Sequence, residues 1–202
     1  MNVVAFCFTE MSKCCYFSFM LDVRLVSNED ELWQIHQLNQ KNLKPKIDPD
    51  ERAAEGFVSW LYPFGLLKQM HQLAPSVIVK DNDKVVAYAL ATLRESSGFH
   101  HDLKLMFQNL PPVQYKGRPL SSCNFYCMGQ ICVEKQHRGR GLVNLLYQKH
   151  KEVYGSRFDF ILTEISPANP RSMKAHENIG FKTIYNYTDA TDEWNVVIWD
   201  WR

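Results

Sequence analysis

The chain has 202 residues, 46% hydrophobic and 22% charged, which excludes wholesale disorder and suffices for one domain with a sizeable core. A net charge of +1 leaves no electrostatic footprint for nucleic acid or an anionic membrane surface, so neither is expected as a partner. The 6 cysteines, at 7, 14, 15, 123, 127 and 132, form neither a CxxC pair nor a disulfide ladder; they read as reduced thiols in a cytoplasmic protein.

Residues 1–20 are apolar and aromatic, but no basic residue leads them and Glu10 and Lys13 interrupt them. That makes a poor signal peptide and too short a spanning helix, so the stretch is expected to be an N-terminal extension. A single domain is expected over 21–202. Residues 21–26 alternate as a strand does. Ser27 can then cap a helix with Leu32, Ile35, Leu38 and Asn39 on one face. "KPKIDPDE" breaks it, and a second helical region over 50–73 is interrupted near Pro63 and Gly65. Its Phe57, Trp60, Tyr62 and Phe64 are expected mainly in the core, with a share in a pocket left open.

"APSVIVKDNDKVVAYALATLR" is two apolar runs around Asp-Asn-Asp, a hairpin signal. Residues 96–121 form a polar insertion with one helical patch, "HDLKLMFQNL", and suit a lid. His100 and His101 are adjacent, so they do not readily face one ion, and no metal is expected. From 123 the order becomes strand (123–133), turn (134–141), helix (141–154), strand (158–166), helix (170–179) and strands (181–188, 193–201). Early hairpins and late βαβ order give an α/β fold with a mixed, mainly antiparallel sheet. The last run, "EWNVVIWDW", reads as a buried strand or a homodimer contact.

The most informative stretch is "ICVEKQHRGRGLVNLLYQKH". Leu142, Leu145, Leu146, Lys149 and Val153 recur at helical spacing behind Gly139 and Gly141. A helix starting there presents unpaired N–H groups and the positive end of its dipole. The glycines let an oxyanion approach the backbone, and Arg138 and Arg140 add charges suited to phosphate. A tight strand-to-helix connection with solvated arginines would read the same way. The spacing is neither a Rossmann fingerprint nor a Walker loop.

Gln136-His137-Arg138-Gly139-Arg140-Gly141 resembles the Q/R-x-x-G-x-G/A signature of the GNAT acetyltransferase superfamily. "TEISPANPRSMKAHENIGF" resembles that family's strand, Asn, short helix and Gly-Phe segment. The resemblance implies the GNAT acyl-CoA N-acyltransferase fold with a splayed fourth strand and flanking helices. It implies acetyl-CoA as co-substrate, with the turn amides from Gln136 through Leu142 and Val143 on the pyrophosphate. Ile131, Cys132 and Val133 would then line the pantetheine arm, and Asn169 would contact it; Asn169 also reads as a helix N-cap before Pro170.

Many relatives protonate the leaving thiolate with a tyrosine where this chain has His176. His176 is a candidate general acid, a thiolate contact, or a histidine packed between helix and sheet. Glu164 is a candidate base, unless strand alternation turns it to solvent; Glu134 reads as a surface turn residue. Tyr126 and Cys127 are expected in the core, or else at the acceptor pocket. The implied reaction moves an acetyl group to a primary amine by direct transfer. A non-catalytic acyl-CoA-binding domain and a protein-interaction module are the alternatives.

Overall fold

A computed structural model describes residues 21–110 and 113–202, so the expectation for residues 1–20 lies outside the described residues. A seven-stranded sheet forms the frame, in the order β1-β2-β3-β6-β7-β9-β8. The strands are β1 (Leu21–Leu25), β2 (Val77–Asp81), β3 (Lys84–Thr92), β6 (Phe125–Val133), β7 (Phe160–Ile165), β8 (Lys182–Thr188) and β9 (Glu193–Asp200). Two short strands, β4 (Gln114–Tyr115) and β5 (Arg118–Pro119), pair with each other outside it. All neighbours in the main sheet are antiparallel except β6 and β7.

Helix α1 (Glu29–Lys41) buries Leu32, Ile35, Leu38 and Asn39, the face read from the sequence. Its cap is Asn28 rather than Ser27: Asn28 Oδ1 accepts from the Glu31 N–H at 3.0 Å, while the Ser27 N–H donates to Glu31 Oε2 at 2.9 Å. Two adjacent cap-competent residues share the work, which is why the position is ambiguous by one residue. The broken helical region resolves into α2 (Pro49–Glu55) and α3 (Phe64–Leu73), joined by an irregular loop over 56–63. The β2–β3 hairpin turns on Asn82, whose φ of 53° is the left-handed value a two-residue loop requires.

Two layers cover the sheet. Helix α5 (Leu142–Tyr154) lays Leu142, Leu146 and Tyr147 against Val77, Val79, Val86, Ala87 and Ala89. Its buried stripe runs on through His150 and Tyr154, so Leu145 stands 39% exposed, contrary to the apolar stripe expected from the sequence. His150 is tolerated inside because Nε2 meets Ala89 O at 3.1 Å and Nδ1 meets the Tyr126 hydroxyl at 2.9 Å. On the other face α1 and α3 pack on Ile78, Val85, Tyr88 and Leu90. Leu110, Val113 and Leu120 from the insertion, which carries α4 (His101–Asn109), cover Phe125, Cys127, Phe160 and Leu162. Tyr126 and Cys127 are therefore core residues.

Two irregularities in β6 position the site. Between the pairs Ala91↔Met128 and Ala89↔Ile131 this strand carries one residue more than β3, a bulge at Gly129-Gln130. The bulge reverses alternation, so Met128 and Ile131 both pack toward the α5 layer. A Cβ on Gly129 would lie 2.2 Å from Thr92 Oγ1 and 2.6 Å from the Tyr62 hydroxyl, so only glycine fits this close approach. Strand β6 also pairs with β7 at Phe125–Cys127 alone, after which the strands part. Thr163 Oγ1 donates to Met128 O at 2.9 Å in the fork. This is the splay expected of the fourth strand of the main sheet. β9 lies between β7 and β8, so the tryptophan-rich final run is an interior strand.

Candidate active site

The fork between β6 and β7 opens into two adjoining cavities. One, of about 490 Å³, follows β6 toward the start of α5 and is lined by Ile131, Cys132, Val133, Arg138, Gly139 and Gly141–Asn144. Its opposite wall is α6 (Pro170–Ile179), including Ser172 and His176. Beyond Cys127 the edge of β6 facing β7 has no strand partner among the described residues; Met128 O is taken by Thr163 and Val133 O by Arg138, and the backbone groups between them are open to an extended ligand. At the far end, Gly139 and Gly141 have φ of 75° and 77°. A Cβ on either would meet nothing within 4 Å, so the demand for glycine there comes from the backbone angle rather than crowding. Gly141 is the N-cap of α5 and offers no side-chain acceptor, which leaves the first-turn N–H groups facing this cavity.

The arginines differ from expectation. Arg138 lies in the wall, but its guanidinium is turned inward: Nη2 donates to Asn42 Oδ1 at 2.7 Å, Nε to Val133 O at 3.2 Å, and Nη1 lies 3.4 Å from Glu55 Oε2. Its charge is compensated, so Arg138 fixes the turn instead of presenting a free cation to a phosphate. Arg171 meets the same Glu55 carboxylate at 2.9 Å and ties α6 to α2. Arg140 and Gln136 are exposed and outside the cavity wall. His137, which the sequence did not single out, anchors the turn to the β2–β3 hairpin through Asp81 Oδ2 at 3.1 Å.

The second cavity, of about 440 Å³, lies between the loop over 56–63, α4, β7 and the turn at 189–194. Phe57, Trp60 and Tyr62 line it; Tyr62, 2% exposed, is also a core residue as expected, with Trp60 and Phe64 packed against the same core, and Phe57 is the one of the four outside it. The loop carrying them is pinned by backbone hydrogen bonds. Trp60 O accepts from Gln130 Nε2 at 2.8 Å and Asn39 Nδ2 at 3.0 Å, and the Tyr62 N–H donates to Asn39 Oδ1 at 2.8 Å. Asn169 borders both cavities. It caps α6 as expected, accepting from the Ser172 N–H at 3.3 Å, while its Nδ2 donates to Phe57 O at 3.0 Å.

The two candidate catalytic side chains have opposite surroundings. Glu164 points into the second cavity and accepts from the Tyr187 hydroxyl at 2.9 Å. Burial raises its carboxyl to about 7, against the smaller lowering from Tyr187. It is not turned to solvent. His176 borders both cavities and is 2% exposed, with both ring nitrogens engaged. Nδ1 lies 2.7 Å from Ser172 O and must carry the proton; Nε2 then accepts from the Tyr147 hydroxyl at 2.7 Å. Burial lowers its pKa to about 4, so the ring is neutral at ordinary pH. An imidazolium acid therefore has no support in this geometry. Glu134 approaches His137 and Lys84 at the turn. Among the described residues no cluster of three His, Cys, Asp or Glu could hold a metal ion, and no helix is long and apolar enough to cross a membrane.

Comparison with known proteins agrees with this geometry. Residues 32–181 match the family model described as "Acetyltransferase (GNAT) family". Among solved structures the chain is similar to one in the NatC complex bound to Gag peptide and CoA, at 14% identity and a TM-score of 0.60, covering 90% of this chain and 99% of that one. It is also similar to Ard1 from Thermoplasma volcanium (10% identity, TM-score 0.59, 89% and 97% covered). Arabidopsis thaliana NAA60 in complex with acetyl-CoA gives 10% identity and a TM-score of 0.59, with 89% and 99% covered. No curated protein sequence matches the chain.

Proposed function

The chain belongs to the GNAT acetyltransferase family, and from that premise we propose that it moves an acetyl group from acetyl-CoA directly to a primary amine. The observation that carries the reading is the fork in the sheet, where β6 leaves β7 beside a glycine turn opening α5. The site's chemistry fits coenzyme A. Unpartnered backbone along β6 suits the amide-bearing pantetheine arm, and bare helix-start N–H groups suit the diphosphate. Ile131, Cys132 and Val133 would hold the arm, with Gly139, Gly141, Leu142 and Val143 at the diphosphate. Arg138 supports that turn from behind, and Arg140 and Gln136 lie outside it. Structures of relatives holding acetyl-CoA, such as NAA60, support the same reading.

Acetyl-CoA supplies an activated acyl group on a good leaving thiolate. The residues of this chain have then to orient the amine and take its proton. Glu164, with a carboxyl near 7 in the second cavity, suits a base that removes a proton from an ammonium group directly or through one water. Asn169 and Phe57 belong to the shared wall across which the two substrates would meet. We assign His176 to the groove wall as a positioning residue, because its ring nitrogens are spent on Ser172 and Tyr147.

Calorimetry and thermal unfolding with coenzyme A test the first half of this reading. Binding is expected, with about 2.7 kcal/mol of added stability when coenzyme A is present at about 100 times its Kd. The absence of both heat and a shift would end the proposal. Thiol release from acetyl-CoA with an amine panel tests the second half, since a domain that only binds acyl-CoA would not turn over.

A further inference from the structure

We propose that the amine acetylated by this chain is carried on an apolar skeleton and has no carboxylate beside it. The inference rests on the acetyl-transfer reading above and names its acceptor class.

The walls of the second cavity carry the argument. Phe57 and Trp60 from the pinned loop, with Leu103 and Met106 from α4, make one side apolar. A skeleton of several carbons buried there is favoured by the area it removes from water. The charged groups at the walls are almost all of one sign: Glu164, Asp102, Asp189 and Asp192. Among the described residues Lys44 is the one lysine lining the cavity, and no arginine lines it. Lys44 is already committed, 3.8 Å from Asp192 Oδ2 and 5.1 Å from the centre of the Phe57 ring. An ammonium group entering this cavity meets a favourable field and a carboxylate able to take its proton. With Lys44 and Asp192 paired to each other, a carboxylate on the neighbouring carbon meets Glu164, Asp102 and Asp189 and, among the described residues, no free cation or guanidinium fork. The cavity thus accepts a cation on an apolar body and rejects a zwitterion.

The full chain is assayed with saturating acetyl-CoA against 3-methylbutylamine and leucine, which share a skeleton and differ by the carboxylate. Leucine is expected to show a kcat/KM about 100-fold lower, as like charges in a partly buried site dictate. The amine of leucine is the less basic of the two, so free-base supply favours leucine and cannot imitate this result. Equal kcat/KM values overturn the proposal. Asp102→Lys, on the cavity rim, is expected to narrow the ratio at least about tenfold; an unchanged ratio counts against the wall charges as its cause. Leucinamide and a leucine-initiated tetrapeptide amide complete the panel. A faster tetrapeptide identifies a protein N-terminus as the source of this chemistry and a faster small amine a metabolite, and either supports the class. If coenzyme A raises the melting temperature but no amine in the panel is acetylated, the acceptor class is wrong and the coenzyme A groove stands. If coenzyme A has no effect, both fall.

Discussion

At Glu164 a carboxyl group leaves water on folding and gains one neutral hydrogen bond, from Tyr187, in exchange. Its pKa is raised to about 7, so kcat/KM is expected to climb with pH through about 7 and then level off. Glu164→Gln should remove that limb and lower turnover by roughly 100- to 1,000-fold. The same shift has a stability consequence of defined sign. A carboxyl whose folded pKa lies above its unfolded value contributes stability that is complete below about 4.5 and lost as pH rises through about 7. Glu164→Gln is therefore expected to be the more stable protein at pH 8, measured by denaturant unfolding, while being the poorer enzyme. At His176 the expectation is reversed. His176→Ala leaves the buried Tyr147 hydroxyl without its acceptor and opens a void, so it should cost about 2–4 kcal/mol of stability. The pH profile of kcat/KM should keep its limb near 7 in that variant. A limb that disappears with His176 would restore the imidazole to the proton pathway.

Among the elements, the turn that opens α5 depends on two left-handed backbone positions. Gly141→Ala places a Cβ at φ 77°, which should cost about 1–2 kcal/mol and weaken coenzyme A binding, as calorimetry would measure. Elements were legible in the sequence wherever periodicity and punctuation agreed. Pro170 and Gly180 bracket α6 at the boundary expected, and the Asn82 hairpin and the strand leading to Val133 lie where their apolar runs placed them. The stripe of α5 differs from the expected one because Tyr147, His150 and Tyr154 carry polar groups yet are buried, each polar group meeting a hydrogen-bond partner inside. The bulge in β6 left one signal, Gly129 in an otherwise bulky strand, but the crowding by Thr92 and Tyr62 that requires it is a tertiary fact. In the cavity along β6, the walls from 131–144 and 169–179 were legible because each is one contiguous segment, whereas the wall from Asn42 and Glu55–Val58 was not. The second cavity was legible only in single residues such as Phe57, Trp60 and Glu164, since it gathers Phe57, Leu103, Glu164 and Tyr187 from four distant segments.

For the molecule as a whole, acid resistance should depend on Glu31, the 2%-exposed carboxylate between α1 and the β1–β2 pair. Burial pushes its carboxyl up, but hydrogen bonds from Arg24 and the Ser27 N–H, with Lys80, outweigh burial and bring it down to about 2. Such a group contributes stability above about 4.5 that is lost as pH falls through about 2. Glu31→Gln should thus be clearly destabilised at pH 6, by about 1.5–3 kcal/mol, with the difference from the parent shrinking in unfolding curves taken near pH 2. The wall the two cavities share, Phe57, Val58, Ile131, Asn169, Ser172 and His176, has a different kind of effect. Two rooms divided by one wall cannot be refurbished independently, so on the proposed function any change to those residues will alter how the chain handles both donor and recipient. Evolution, or an engineer, wanting a new recipient without disturbing the donor has freer material in α4 and the 189–194 turn, which touch one room alone.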